Sequence, residues 1–246
     1  MKTGMFVLVF FSFFSVRGQK TDTLFPYLPL PRVHLVKESS VQYFICTKTS
    51  DGKLLSSFLL NRSISKIDLN GKPTWLSVQK YNSKDGEDID STFFSATTLA
   101  PISYHTHVGS ERLREQVVFD GKQIVAHISK KDSVYSQDQS TVVAAYNVVM
   151  EEDLLKSLPL RKGYSVIIPF VNPGAHYGKG LFYKHISVQG AEVLTTMFGQ
   201  IDCWKISYET AYGTVLQWVE KKTQNLIRQE QRMPGGIQVM KVRLLM

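Results

Sequence analysis

Cysteine is scarce, with two residues in 246, and neither has the CxxC spacing of a redox or zinc site, so a disulfide-stapled mini-scaffold is excluded. Clustered charge is missing as well. The pair Lys130-Lys131 is closed by Asp132, and no block of five or six basic residues occurs, so a nucleic-acid footprint is not expected. Long apolar runs are also missing. Met5 to Phe14 (MFVLVFFSFF) is the longest, and it is too short to cross a bilayer stably. With 43% apolar and 11% aromatic residues, the chain can bury a full core, which excludes disorder and collagen-like sequence.

The apolar run follows Lys2 and precedes Val16 and Gly18, the arrangement of a secretory signal peptide. Cleavage before Gln19 divides the chain into a signal peptide at 1–18 and a single β-rich domain at 19–246, exported to the periplasm or cell envelope. No cysteine lies near the junction, so the lipid-modified cysteine of a lipoprotein has no candidate, and no integral span is expected in the mature chain. Without Lys2 and Arg17, 27 basic residues face 21 acidic ones, a formal charge of +6. That bias either aids solubility or attracts anionic glycans and lipid headgroups.

Turn signals punctuate the mature chain: Asp51-Gly52, Asn70-Gly71, Asp85-Gly86, Asp120-Gly121, Pro173-Gly174 and Pro234-Gly235-Gly236 among them. Between them lie runs rich in Val, Ile, Phe, Tyr and Trp, several alternating with the period of a strand. Two hairpins are predicted on two-residue turns. One joins 64–69 to 72–81 through Asn70-Gly71; the other joins 115–119 to 122–130 through Asp120-Gly121. Tyr164, Val166, Ile168 and Phe170 form one face of a further strand, followed by Phe182, Ile186 and Val188 after the PGAHYGKG loop. The segments 201–208, 213–220, 225–231 and 237–244 read as an antiparallel meander.

One segment departs from this period. Val149, Met150, Leu154, Leu155 and Leu158 recur at helical spacing, with Glu151 and Glu152 in the acidic first turn and Pro159 as a stop. A lone amphipathic helix in a β-rich chain must bury its stripe, and the concave face of a curved sheet is the natural place.

The segments LLKSLPLRKGYSVIIPFVNPG, FGQIDCWKISYE and VLQWVEKKTQNLIRQEQRMPGG resemble the C-terminal half of exported bacterial proteins known only as a domain of unknown function. The resemblance covers about residues 115 to 244. It implies a mainly β fold, a curved antiparallel half-barrel wrapped around one short helix, similar to periplasmic lipoprotein carriers, which hold acyl chains between sheet and helix. The function expected on that basis is a non-enzymatic binding or carrier protein for a hydrophobic ligand, a lipid or an acylated protein, without cofactor. An envelope scaffold or interaction protein with a self-filled interior is the alternative.

The residues independently allow an apolar gap between helix and sheet, in which each buried methylene contributes about 0.8 kcal/mol. The candidate ligand-binding lining is Phe170, Phe182, Trp204, Tyr208 and Trp218; the same five could instead fill the core. Cys46 and Cys203 lie in strand-like runs, where they either close one long loop or remain buried thiols.

Enzyme readings find little support. His105-x-His107 places two rings on one strand face about 6 to 7 Å apart, half of a metal site that Asp88, Asp90, Glu111 or His127 would have to complete. A hydrolase on that strand is the least favoured reading, and no metal is assigned. GxSxG is absent, and Gly109-Ser110-Glu111 lacks its second glycine. The PGAHYGKG loop lacks the GxxxxGK[ST] order of a phosphate cradle. Asn61-Arg62-Ser63 is a glycosylation sequon relevant only to hosts that use it.

Overall fold

The computed structural model describes residues 21–83, 86–172 and 180–244. The proposed leader, 1–18, and positions 173–179 of the PGAHYGKG loop lie outside the described residues. Strands β1 (Asp22–Thr23), β2 (Ser39–Lys48), β3 (Leu54–Leu69), β4 (Lys72–Ser83), β5 (Gly86–Ser95), β6 (Pro101–Val108), β7 (Leu113–Asp120), β8 (Gln123–Lys130) and β9 (Ser133–Ser140) precede the helix. A bridge strand β10 (Tyr146–Asn147), a 3-10 turn (Val148–Met150) and helix α1 (Glu151–Ser157) follow. The chain then continues through β11 (Ser165–Val171), β12 (Leu181–Thr196), β13 (Gly199–Thr210), β14 (Gly213–Glu220), β15 (Leu226–Arg232) and β16 (Gln238–Arg243).

All these strands join one open, curved sheet. Strands β2 to β9 and β11 to β16 are two sequential antiparallel meanders, and antiparallel pairing of β16 with β2 joins them in the order β1-β11-β12-β13-β14-β15-β16-β2-β3-β4-β5-β6-β7-β8-β9. Among the described residues, only the short bridges of β1 and β10 onto β11 are parallel. The expected mainly β fold is therefore found, with one short α-helix among the described residues, and the sheet is not closed into a barrel.

Local chemistry accounts for the turns. Asn70 and Gly71 carry φ of 55° and 76°, the positive values that a two-residue hairpin turn needs. The second predicted hairpin is displaced by one residue: Asp120 still pairs with Gln123, so Gly121 and Lys122 form the turn. Gly213, at the β13–β14 turn, has φ 110°, and a Cβ there would fall 1.9 Å from the Arg232 carbonyl oxygen.

The predicted helix is present but shorter in α form than the span 149–158. The Asn147 side chain accepts from the Val149 N–H and opens a 3-10 turn, so α geometry begins at Glu151. Leu158 is already extended, at φ −85° and ψ 150°, because Pro159 disfavours helical backbone at the residue before it.

Leu154, Leu155 and Leu158 are buried on the concave face against Leu60 and Ile64 of β3, Ile168 and Phe170 of β11, Ile186 and Val188 of β12 and Val219 of β14. Full burial of each such side chain contributes about 1.5–3 kcal/mol. A second seam joins β6, β7 and β8 to Val171 and Ala145. On the opposite, convex face, Ile201, Cys203, Trp218 and Ile227 make a smaller cluster. Cys46 and Cys203 are both buried free thiols, which settles the alternative against a cross-link. Burial raises the Cys203 thiol to about 12.

Candidate functional site

Strand register places a polar belt across the concave face at the level of the helix start. Arg62 pairs with Gln79, Gln79 with Asp90 and Asp90 with Thr106; in the other meander Gln217 pairs with Gln229 and Gln229 with Lys241. These residues occupy inward positions of their strands. Arg62 stands between Leu60 and Ile64, and Gln217 between Val215 and Val219, each interrupting an apolar alternation.

The three acidic residues of the first helical turn each meet a cation from a different strand. Glu151 pairs with Lys184 of β12 at 2.5 Å, Asp153 with Arg62 of β3 at 2.5 Å, and Glu152 with Lys241 of β16. Glu152 also accepts from the Tyr43 hydroxyl at 2.9 Å. Burial alone would raise the Glu152 carboxyl, but the charges of Lys241 and Arg62 and the hydrogen bonds from Lys241 and Tyr43 outweigh it and hold the group at about 2. Glu151 and Glu152 therefore do more than complement the helix dipole: they tie the helix to both halves of the sheet.

The helix start borders two adjoining hollows that share Val148, Glu151 and Gln229. The larger, about 670 Å³, is walled by Phe182, Tyr183, Tyr208 and Tyr212, with Val148 and Val215 behind them and Lys184, Gln229 and Gln231 among the polar residues. Lys184 Nζ lies 4.7 Å from the Tyr208 ring centroid and 5.1 Å from that of Phe170, a cation–π arrangement that complements its ion pair. The smaller hollow, about 260 Å³, is a polar well lined by Gln79, Tyr81, Asp90, Glu152, Gln217 and Lys241, among others. Asp90 accepts from the Tyr104 hydroxyl at 2.6 Å, and burial raises its carboxyl above the ordinary value.

The five aromatic candidates separate. Phe182 and Tyr208 line the larger hollow. Phe170 is fully buried and stacks behind Phe182 with ring centroids 6.1 Å apart. Trp204 packs against the main core beneath Lys221, whose Nζ is 4.6 Å from its ring centroid. Trp218 belongs to the convex cluster, facing the same side as Lys205, with which it pairs across β13 and β14. The helix–sheet seam expected to hold a ligand is instead closed by Phe170 and the helical leucines, and the open space lies at the helix start.

Two other surfaces bear on the sequence expectations. His105 and His107 share a shallow hollow with Arg114, Glu115, Gln116 and His127 on β6–β8. Burial lowers the His105 ring below its usual value. Among the described residues, no group of three or more His, Cys, Asp or Glu is placed to hold a metal. An apolar groove of about 460 Å³ lies beside the β12–β13 turn, lined by Leu194, Phe198, Ile201, Ile227, Met240 and Val242. No helix among the described residues is long and apolar enough to cross a membrane.

Residues 50–243 match the model of a family described as protein of unknown function (DUF3108). The chain belongs to the DUF3108 family. Its match begins well before residue 115, where the sequence resemblance starts, and so takes in nearly all of the first meander along with the second. Comparison with curated proteins gives no match. Among solved structures, the chain is similar to a Bacteroides fragilis protein with a YmcC-like fold that is described as exported, at 10% identity and TM-score 0.35, covering 89% of this chain and 98% of the other. A DUF1329 family protein from Desulfovibrio piger is similar at 11% identity and TM-score 0.30, covering 86% of this chain and 85% of the other.

Proposed function

We propose that the mature chain, residues 19–246, is a single exported domain that binds an amphipathic ligand without catalysis, in the periplasm or cell envelope. The leader-like sequence at 1–18 supports the export. The observation that carries the binding reading is the hollow of about 670 Å³ at the helix start, lined by aromatic rings together with a few polar side chains. Ligand sites commonly span about 300–1,000 Å³ and combine an apolar wall with a few fixed polar groups. An acyl chain laid along Phe182, Tyr208 and Val215 would gain about 0.8 kcal/mol per buried methylene, enough for binding without a covalent anchor.

The test is displacement of an environment-sensitive apolar dye from the purified mature chain, together with native mass spectrometry of protein taken from its exporting host. A co-purifying amphiphile and saturable dye uptake are expected. A chain that emerges empty and takes up no dye removes the reading. A second reading, an envelope scaffold with a self-filled interior, is favoured by one observation: Phe170, Leu154 and Leu155 close the seam between helix and sheet. It predicts no dye uptake.

A further inference from the structure

We propose that the polar well at the inner end of the hollow receives the head of the ligand and that this head is a protonated amine; the assignment rests on the binding reading above. Two independent features of the well point to a cationic hydrogen-bond donor.

The first is an orphaned acceptor. Gln217 is 1% exposed, and its Nε2 donates to Glu151 Oε1 at 3.1 Å and to Gln229 Oε1 at 2.9 Å. The Glu151 carboxylate can only accept, so the amide nitrogen must face it, and Oε1 is left on the other side. That oxygen has no protein partner although Gln217 lines the well. Buried carbonyl oxygens are rarely left without a donor, and an N–H or O–H of a bound molecule would supply one.

The second is an unbalanced carboxyl. Each of Glu151, Glu152 and Asp153 has its own lysine or arginine. Asp90, 3% exposed and lining the same well, accepts from the Tyr104 hydroxyl at 2.6 Å, and no ion pair joins it to a cation among the described residues. Lys241 in the well is already committed to Glu152. Lys156, 7% exposed on helix α1, is a further buried cation, but it interacts with Asp153 and Glu152, so Asp90 is left without an ion-pair partner of its own. A hydroxyl head would satisfy Gln217 but leave Asp90 unmatched, and a carboxylate or phosphate head would satisfy neither. An ammonium group satisfies both.

The experiment compares decylamine, decyl maltoside and decanoate on the purified mature chain at pH 7, each below its micellar concentration, by calorimetry and by dye displacement. The chain's formal +6 charge favours decanoate at the surface, so a preference for the amine must arise locally. Decylamine is expected to bind at least about tenfold more tightly than decyl maltoside, and Asp90→Asn to reduce that ratio below about twofold. Equal affinities, or tighter decanoate, overturn the head assignment and leave the hollow as a site. An amine preference that persists in Asp90→Asn places the head elsewhere and also overturns it. If none of the three binds, the binding reading itself fails. Comparing the three heads needs no variant, so it decides the matter even if Asp90→Asn does not fold.

Discussion

The two ends of helix α1 meet the same sheet with contrasting chemistry. From Leu154 to Leu158 the contact is closed and mainly apolar, with Leu154, Leu155 and Leu158 each about 1% exposed among residues of β3, β11, β12 and β14, and Lys156 and Ser157 buried beside them. From Glu151 to Asp153 it is ionic and borders open space, where three acids reach cations on three strands and, among the described residues, Gln217 Oε1 has no hydrogen-bond partner and Asp90 has no ion pair. The apolar end supplies most of the burial energy. Buried ion pairs add little net stability because desolvating both charges offsets their attraction, but breaking one is costly. The acidic end therefore fixes where the helix sits, and the proposed ligand site lies beside it.

Breaking the ionic end one-sidedly gives the largest effect. Arg62→Met strands Asp153, 0% exposed, and should cost about 3–5 kcal/mol in urea denaturation, whereas the double variant Arg62→Met, Asp153→Leu should return to within about 1 kcal/mol of the parent. A double variant as unstable as the single one would show that the pair stabilises outright. At the apolar end, Leu154→Ala should cost about 2–4 kcal/mol through lost burial and a residual cavity, while dye affinity in the hollow stays the same in the folded protein. A parallel loss of dye affinity would show that the two ends are not separate.

Acid sharpens the comparison further. The Glu152 carboxyl titrates at about 2 in the folded chain, below its ordinary value of 4.5, so the unfolded chain binds its proton first as pH falls. Its contribution is complete above about pH 4.5 and is lost between there and pH 2, by an amount on the order of 3 kcal/mol. Urea midpoints measured from pH 6 to 2.5 should fall less steeply in Glu152→Gln than in the parent. Identical slopes would show that Lys241 does not hold this group ionised.

The architecture was largely legible because it follows from short-range chemistry. Asn70-Gly71 sets its hairpin, the 213–220 and 225–231 runs find each other across a short turn, and Pro159 ends the helix. The one-residue displacement at Gly121 reflects the freedom of Asp120 to stay in the ladder while glycine takes the positive φ. The site was less legible, since it depends on which strands become neighbours. The β16–β2 junction, which brings Lys241 beside the first meander, joins residues nearly 200 positions apart and has no local signature. Two signals were nevertheless present: Arg62 and Gln217 each break an inward apolar alternation, as a polar belt requires, and the register set by Thr210 against Gly213 pairs Trp204 with Val219 and so sends Trp218 to the other face. Aromatic content alone could not distinguish rings that line space from rings that fill it.

That last distinction yields the smallest expected effect, and it is read in affinity rather than stability. Phe182 and Trp218 are both aromatic residues of inner strands, but Phe182 walls the hollow while Trp218 lies on the convex face between the cationic groups of Lys205 and Arg228, 5.3 and 5.4 Å from its ring. Phe182→Ala removes part of the apolar wall and should weaken decyl maltoside binding about tenfold, equivalent to about 1.4 kcal/mol. Trp218→Phe keeps the convex packing and should change the same affinity by less than about twofold. Equal losses in the two variants would mean that the ligand does not sit against β12, and the concave hollow would then have no advantage over the apolar groove beside the β12–β13 turn.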